Sequence, residues 1–537
     1  MRRNWETTFR ITPAENAAFD ARYEARIVAE TAARAREICH HDSVDLARLD
    51  EGDPFSSSIT AEDVKRTIRS FKNRRAPGTS GVKKEDLIQL PLRALEFLAR
   101  AFTAAFSAGY FPEKFKHARL IFIAKSGKNP ANPLHYRPIS LLETPGKVLE
   151  KLLNERLSDF AEARRVHDPM QYGFRPRRGT GKAIALAYET VAQAVASGAG
   201  NATIIMRDIE KAFDKVYHVG MKHRLLEVGT PDLLRRMCCH FLDGRTAAIR
   251  VQGAEGPAFQ LLSGVPQGSC LSPTMFIIYT ADTPPPRVRD HSIHFAYADD
   301  HNQIVTFPFK FPRGTAACTQ RAAQIRNAYE RRKKIKNQLE KMNIITARRT
   351  KPFPLTIDGN RVPYTQEGKL LGLRMTLYGI RSQIYHLEKK GKRQLGKLRR
   401  FSGLPEGIKL YLFKALLRPL LEYPAVAIST ASRAALLTLQ RVQTKGLRWV
   451  FGRTPWHLRP TPVQLHQRYR VLPLNLRLHQ LARRTWQSLA DDDDPNLQTI
   501  VRVAETLEPG QEHLWWPRSR PRALGPPPAP LLTADDV

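Results

Sequence analysis

Apolar residues recur along this chain at the spacings expected of half-buried helices and of buried strands. Residues 90–112 and 146–160 repeat apolar positions every three or four residues, the pattern of helices that bury one face. Residues 117–125 and 202–208 are short apolar runs of strand length. Thr60, with Asp63 three positions later, predicts the start of another helix, because such side chains cap free backbone amides. This mixed order of elements predicts an α+β fold.

Three aspartates stand where predicted strands end. Asp208 closes the run 202–208, and Asp299 and Asp300 lie between two short apolar segments typical of a hairpin. Carboxylates this close repel one another and need a compensating cation, for which Mg²⁺ is the natural choice. An exposed Asp-Asp turn is the plain alternative. Polar tips on apolar strands favour a site, and the arrangement is typical of two-metal phosphoryl transfer by a nucleic acid polymerase.

The composition indicates a polyanionic partner. The formal net charge of +35 and the pI of about 10.3 imply strong, salt-dependent attraction to nucleic acid or another acidic surface. A membrane is the rival partner, but charged residues interrupt the most apolar stretches, and the N-terminus lacks an apolar signal core. The five cysteines suggest neither a disulfide framework nor a CxxC metal site. We therefore expect a soluble protein of a reducing compartment that is not secreted.

Five ordered motifs make the interpretation specific. In chain order they are FKHARLIFIAKSGKNPANPLHYRPISLL, QYGFRPRRGT, MRDIEKAFDKVYH, GVPQGSCLSP and FAYADD. Their order and spacing resemble those of the reverse transcriptases of non-LTR (LINE-type) retrotransposons, above all the insect jockey-like group. The resemblance runs from about residue 58 to about residue 450, and five motifs in order are far more specific than any one of them.

The resemblance implies a right-hand polymerase of fingers, palm and thumb that copies an RNA template into DNA. The enzyme would extend the 3′-hydroxyl of a DNA primer with dNTPs. The resemblance divides the chain into a helical N-terminal extension (1–57), fingers and palm (58–350), a thumb (351–450) and a basic C-terminal region with a disordered tail (451–537). The thumb helices are expected to follow the backbone of an RNA·DNA duplex without reading its sequence. The oligomeric state stays open.

The resemblance also assigns roles around the predicted metals. Asp208 and Asp299 are expected to hold two Mg²⁺ ions, for which Mn²⁺ can substitute. Asp300 would assist metal binding or position the primer, and the carbonyl of Ile209 would lie near the nucleotide-side metal. Lys341 would protonate the departing pyrophosphate, although its motif aligns only with a one-residue slip, so a lone lysine on a basic helix is the alternative.

Nucleotide-binding roles follow in the same way. Lys125 and Arg137 are expected to grip the incoming triphosphate, Arg137 through its fork of donors. Phe213 falls where the family carries the side chain that excludes ribose, although most phenylalanines simply pack in a core. Gln267 and Gly268 are expected beside the template base and the nucleotide.

Other basic and acidic residues receive less specific roles. Arg175, Arg177 and Arg178 are expected to contact template phosphates. The spacing of Asp214 from Asp208 also resembles that in RNA-synthesising polymerases, which keeps such an enzyme as a further alternative. Phe213 and the GVPQG loop argue against it, so Asp214 is interpreted as structural. The basic run 331–336 favours a solvated or template-facing helix surface over a nuclear localisation signal.

Several departures from the family pattern matter. Ser80 stands where the family usually has an aspartate, which puts the hydrogen bonds of its loop in question. Residues 1–57 are too short for the endonuclease that precedes the polymerase in jockey-like proteins, so the chain alone is not expected to nick its target. It would be a truncated copy, a fragment or a polymerase with a separate nicking partner. A catalytically decayed nucleic-acid-binding relic is the alternative function. Family habit places such proteins in the nucleus and cytoplasm.

Overall fold

The computed structural model describes residues 58–196, 201–284, 292–307, 312–346, 354–357, 359–376, 380–429, 431–492, 494, 497–498 and 501. The predicted N-terminal extension and the end of the predicted tail lie outside these residues. The chain forms two compact units, each assembled from several segments. Unit 1 comprises the described residues up to 174, those of 209–285 and those of 325–338. Unit 2 comprises those of 175–208, of 286–324 and from 339 onward.

Thirteen strands are found in the described residues. They are β1 His117–Ala124, β2 Tyr136–Leu141, β3 Asn201–Asp208, β4 Thr246–Val251, β5 Ala254–Glu255, β6 Phe259–Gln260, β7 Ser292–Tyr297, β8 Asp300–Phe307, β9 Asn343–Thr346, β10 Leu355–Ile357, β11 Asn360–Val362, β12 Glu367–Leu370 and β13 Leu373–Thr376. The apolar runs at 117–125 and 202–208 are β1 and β3, as predicted.

Sixteen α-helices accompany these strands in the same part of the chain. They are α1 Ala61–Ser70, α2 Lys84–Leu87, α3 Leu92–Ser107, α4 Thr144–Ala163, α5 Thr180–Ala196, α6 His218–Glu227, α7 Asp232–Leu242, α8 Ser272–Tyr279, α9 Pro312–Arg332, α10 Arg381–Leu398, α11 Glu406–Leu412, α12 Arg418–Glu422, α13 Ala425–Ile428, α14 Arg433–Phe451, α15 Pro462–Tyr469 and α16 Leu474–Ala490. This mixture of helices and sheets confirms the α+β prediction.

Unit 1 packs helices beside a small mixed sheet. The sheet has the order β2-β1-β4-β5, with β6 also paired to β4, and β1 runs antiparallel to β2 but parallel to β4. Its main core joins apolar residues of α1, α3, α4, α7 and α8, including Phe106, Leu149, Phe241 and Phe276. Helix α1 begins with the predicted capping box, in which Thr60 and Asp63 satisfy each other's backbone amides.

Unit 2 contains the sheet that carries the predicted catalytic strands. Its order is β7-β8-β3-β9, and every neighbouring pair is antiparallel. Helix α5 packs on β3 and β8. Ile204 and Ile304, which are paired across β3 and β8, are fully buried. The buried apolar residues of these strands therefore anchor the sheet that carries Asp208 and Asp300 at the ends of β3 and β8.

The C-terminal helices of unit 2 form a second core. Apolar residues of α10, α14 and α16, among them Leu395, Leu439 and Leu478, are buried together. Two small hairpins, β10–β11 and β12–β13, precede these helices in the chain. Among the described residues, no helix combines the length and the apolar character needed to cross a membrane.

Two charged runs differ in part from what the sequence predicted. Asp492 and Asp494, expected in a tail with little core, are 11% and 1% exposed and form ion pairs with Arg178. In the basic run 331–336, Arg331, Arg332 and Lys336 are exposed as predicted. Lys333, however, is buried and lies 2.7 Å from Asp282, and Lys334 lies over the ring of Tyr217. These charges are used inside the fold, because partners distant in sequence compensate them.

Candidate active site

The carboxylates of unit 2 meet at one end of its sheet. Asp208 is the last residue of β3 and is paired in register with Asp300, the first residue of β8. Directly opposed residues on antiparallel strands have Cβ atoms about 4.5–5.5 Å apart. Across the hairpin Asp300 is paired with Tyr297, which leaves Ala298 and Asp299 as the turn. Ala298 has φ of 58°, which a tight hairpin turn requires and which non-glycine residues seldom adopt.

The electrostatics of this group show an excess of negative charge. Burial, together with the neighbouring charges of Asp299 and Asp208, raises the pKa of Asp300 to about 6, against a lowering by Lys369. Among the described residues, no three His, Cys, Asp or Glu side chains form a complete metal cage. Opposed carboxylates that leave positions for water and phosphate suit Mg²⁺, which is usually held by one or two carboxylates plus substrate. The donor set therefore fits a divalent ion shared with a substrate.

Lys341 lies beside these carboxylates, although its motif matches the family pattern only after a shift of one residue. It ends the short 3₁₀-helix Leu339–Lys341, and its Nζ is 3.3 Å from Oδ2 of Asp208. The two side chains are 46% and 40% exposed, so both remain accessible to a ligand. The lysine of the slipped motif therefore lies beside a carboxylate that was predicted to bind metal.

Asn337 and Ile209 form a separate contact in unit 1. They are joined by an isolated antiparallel bridge, and Ile209 is buried. The side-chain amide of Asn337 donates to Glu330 at 2.6 Å, whereas its side-chain oxygen is buried without a hydrogen-bond partner. Asn337 therefore helps to fix the backbone that follows Asp208 in the chain.

Lys125 and Arg137 lie on the β1–β2 hairpin of unit 1. The backbone amide of Lys125 donates to the carbonyl of His135 at 2.8 Å, and Arg137 is paired with Ile123 one step further along the strands. Arg137 is exposed and Lys125 is partly buried. The hairpin therefore brings both basic residues to its loop end.

Phe213 is neither a core residue nor an exposed one. It is partly buried at the edge of the unit 1 core, in the 3₁₀-helix Phe213–Lys215. Its ring centroid lies 5.0 Å from that of Phe276 and 6.3 Å from that of Phe174, the latter edge-on. Packing on two rings holds the side chain in one orientation while leaving part of its surface open.

Asp214 is fully enclosed and hydrogen-bonded. Its two carboxylate oxygens accept from Nε2 of Gln267 at 2.8 and 2.9 Å. Burial raises the pKa of Asp214 to about 7, although the bond from Gln267 and the charges of Lys211 and Lys125 lower it. Gln267 was predicted beside the template base and the nucleotide, but its amide is used within the protein. The contacts support the interpretation of Asp214 as structural.

The GVPQG loop is held by close backbone approaches. The amide of Ser140 donates to the carbonyl of Gln267 at 2.8 Å. Gly268 has φ of 140°, and a Cβ there would lie 2.4 Å from the carbonyl oxygen of Ser140. Gly264 is equally confined, since a Cβ would meet the Asp214 carbonyl at 2.5 Å. Both glycines are required by this packing.

The three predicted template arginines have different surroundings. Arg177 is exposed and Arg175 is partly buried. Arg178 is 10% exposed and lies 3.2 Å from Asp492 and 3.4 Å from Asp494. Its predicted role as a template contact is therefore not supported, because two carboxylates already neutralise its guanidinium.

Sequence reasoning missed several partners of these residues. Ser80, which replaces a family aspartate, donates from its hydroxyl and its amide to Glu143, and Thr79 donates to the same carboxylate. Despite partial burial, these bonds lower the pKa of Glu143. Lys369, which acts on Asp300, was also missed. Nothing in the sequence marks either partner, since both are more than sixty residues away.

Comparisons with known proteins agree with this geometry. The family model for reverse transcriptase (RNA-dependent DNA polymerase) matches residues 123–375. The chain is 28% identical to the RNA-directed DNA polymerase from mobile element jockey of Drosophila melanogaster over 476 residues, which cover 83% of this chain and 51% of that protein. It is 27% identical to the jockey polymerase of Drosophila funebris, with 86% and 50% covered. The chain thus spans about half the length of these curated relatives.

Solved structures similar to this chain include apo telomerase from Candida tropicalis, at 11% identity and a TM-score of 0.37, with 76% of this chain and 74% of that chain covered. The sequence matches carry the assignment, because they extend over the motifs that contain Lys125, Asp208 and Asp299. They show that residues 123–375 match the reverse transcriptase family and that the chain is similar to the RNA-directed DNA polymerases of jockey-type mobile elements.

Proposed function

We propose that this chain is an RNA-directed DNA polymerase that extends a primer 3′-hydroxyl with dNTPs. The observation that carries the proposal is the register of β3 and β8, which sets Asp208 opposite Asp300 beside Asp299. Strand ends of this kind hold carboxylates rigidly, as phosphoryl transfer requires. The same register offers no explanation for a protein that only binds nucleic acid.

Asp208, Asp299 and Asp300 would hold two Mg²⁺ ions, or Mn²⁺ in their place. When bound, such ions neutralise phosphate charge and favour the attacking form of a hydroxyl. Asp208 supplies one carboxylate from β3, while the hairpin supplies the others. The raised pKa of Asp300 reflects charge repulsion that a cation would relieve. The backbone carbonyl of Ile209 stays a proposed additional ligand.

Lys125 and Arg137 would bind the triphosphate of the incoming dNTP. The exposed guanidinium of Arg137 can donate to two phosphate oxygens, while Lys125 acts as a point charge. The partly open ring of Phe213 would lie against the sugar and exclude a 2′-hydroxyl by contact. Gly268 would admit the nucleotide and template closely, and Gln267 would support this loop through Asp214.

Lys341 would hold the proton that the leaving pyrophosphate takes up. Its Nζ reaches the metal-binding carboxylate of Asp208 at 3.3 Å, so the residue is positioned at the reacting groups. Arg175 and Arg177 would contact template phosphates. Residues 58–350 would provide fingers and palm and 351–450 the thumb, with an RNA template and a DNA primer as partners.

Primer extension tests the proposal. The wild-type chain is expected to extend oligo(dT) on poly(rA) with dTTP and Mg²⁺, whereas Asp299→Asn/Asp300→Asn is expected to leave no detectable product. Asp243→Asn is a suitable control, because Asp243 is an exposed carboxylate whose ion pair is with Lys222. The proposal fails if a folded, duplex-binding wild-type protein makes no DNA, or if the double variant retains its activity.

A further inference from the structure

A large cleft lies at the C-terminal end of α14 in unit 2. It has a volume of about 1160 Å³, and its walls come from the segment after α10, the last turns of α14 and the loop up to Pro460. This exceeds the range of about 300–1,000 Å³ found for small-molecule pockets. We call it the basic cleft, because its lining includes Arg399, Lys445, Arg448, Arg453 and Arg459 beside Trp449.

The charge of the basic cleft exceeds what the fold needs. All five of its cationic side chains are exposed, and its lining contains no aspartate or glutamate. Within the described part of the chain, none of the five takes part in an ion pair. The C-terminus of a helix carries only about half a negative charge, so the dipole of α14 balances a fraction of them. Such mutual repulsion is relieved by a polyanion.

Trp449 adds a flat apolar surface to this charge. The side chain is half-buried, packs against the C-terminal core and donates from Nε1 to Oγ of Ser402 at 3.2 Å. One edge of the indole is therefore fixed, so the ring is held in the wall of the cleft. Aromatic rings among cations are the feature on which unpaired bases stack.

We propose that the basic cleft binds an unpaired nucleic acid strand, with phosphates on its arginines and a base stacked on Trp449. A duplex fits less well, because its bases are already stacked and its phosphates follow a convex surface. The strand is either the unpaired part of an RNA template or single-stranded DNA, which share this chemistry. The inference goes beyond the proposed function, since binding here requires none of the three aspartates.

Fluorescence anisotropy with a labelled oligo(U), an oligo(dT) and an RNA·DNA duplex tests the charge of the cleft. Arg453→Glu/Arg459→Glu is expected to weaken binding of the single strands at least about tenfold, and removal of two phosphate contacts should lower the salt slope by about 1.4. Arg93→Glu/Arg100→Glu is the matched control, since both arginines are exposed on α3 in unit 1 and the charge change is identical. Equal weakening by the control would overturn the proposal.

Trp449→Leu tests the stacking separately. It should weaken single-strand binding about tenfold with an unchanged salt slope, and leave duplex binding unaffected. Equal loss of duplex binding, or no loss of single-strand binding, would overturn the stacking role. Tighter binding of oligo(U) would identify the RNA template as the strand, and equal affinities would identify any unpaired strand. Asp299→Asn/Asp300→Asn should bind normally, so failure of polymerase activity does not affect this test.

Discussion

Two aspartates six residues apart in the chain have opposite surroundings. Asp208, in unit 2, is 40% exposed, is paired with Asp300 across the strands and lies beside Lys341. Asp214, in unit 1, is 2% exposed and gives both its oxygens to Gln267. The same side chain is therefore available to a metal in one region and used for packing in the other. The hydrogen bonds of a carboxylate, more than its motif position, decide which role it can fill.

A large loss of activity is expected beside the open carboxylates, from Lys341→Ala. Loss of a general acid costs about 10²–10⁴-fold in rate, so single-turnover extension should slow by this amount with little change in dNTP binding. Lys341→Arg should not restore the rate, because a guanidinium does not release its proton. Lys336→Ala is the control, since Lys336 is exposed and lies 3.8 Å from Glu210. Full activity of Lys341→Ala would remove the residue from the site.

Phe213→Ala examines the immediate neighbour of the buried aspartate. Contact discrimination between substrates that differ by one small group is worth about 10–200-fold, so the preference for dTTP over UTP should fall within this range. Phe174→Ala removes a ring that contacts Phe213 but is 51% exposed, and it should largely keep the preference. Competition assays with dTTP and UTP measure this preference. Unchanged selectivity in Phe213→Ala would show that the residue serves only in packing.

Asp214→Ala should reduce stability more than catalysis. It leaves the partly buried amide of Gln267 without its acceptor, which costs up to about 1–3 kcal/mol. Asp214→Asn keeps one acceptor oxygen and should cost less. Urea unfolding gives the free energies, and activity per folded molecule should stay near that of the wild type. A stable but inactive Asp214→Ala protein would place this aspartate in the chemistry instead.

Burial of Asp214 also predicts a pH dependence of stability. The folded-state pKa of Asp214 is about 7, above its usual 3.8, so the folded protein binds one more proton than the unfolded chain between these values. This contribution is complete below about pH 4 and is lost as the pH rises through 7, with a slope on the order of 1 kcal/mol per pH unit. His218, whose pKa burial lowers to about 4, has the opposite slope, with stability lost as the pH falls below 6.5. The difference between wild type and Asp214→Asn isolates the aspartate, and a flat difference would contradict its burial.

The sequence predicted much of the local structure, because the signals concerned are local. The Thr60 cap, helices α3 and α4, and strands β1, β3 and β8 follow from periodicity and capping within a few residues. The hairpin that carries Asp299 and Asp300 was predicted for the same reason. The pairing of Arg178 with Asp492 was not, since more than three hundred residues separate them. Burial of Lys333 likewise depends on Asp282, which no motif identifies.

The same distinction between local signals and long-range contacts applies to the candidate site. Residue types and motif order suggested Asp208, Lys125 and Phe213, and family spacing suggested Lys341 despite the slip. The hydrogen bonds of Ser80 and Gln267 could not be predicted from the sequence, because the acceptor of each is a carboxylate distant in sequence. A motif thus indicates which residues take part, whereas tertiary contacts determine which of their polar groups remain available.

The different roles of Asp208 and Asp214 are tested most directly by a single-turnover primer extension assay of Asp208→Asn and Asp214→Asn. Both variants replace one carboxyl group by an amide of the same size, and the thermal midpoint of each protein reports whether it is folded. We predict that Asp208→Asn keeps its midpoint and loses extension by about 10³-fold or more, the loss of several kcal/mol of charge stabilisation. Asp214→Asn should extend at near the wild-type rate with a shifted midpoint. Equal losses of activity in the two folded variants, or an active Asp208→Asn, would contradict the division of roles.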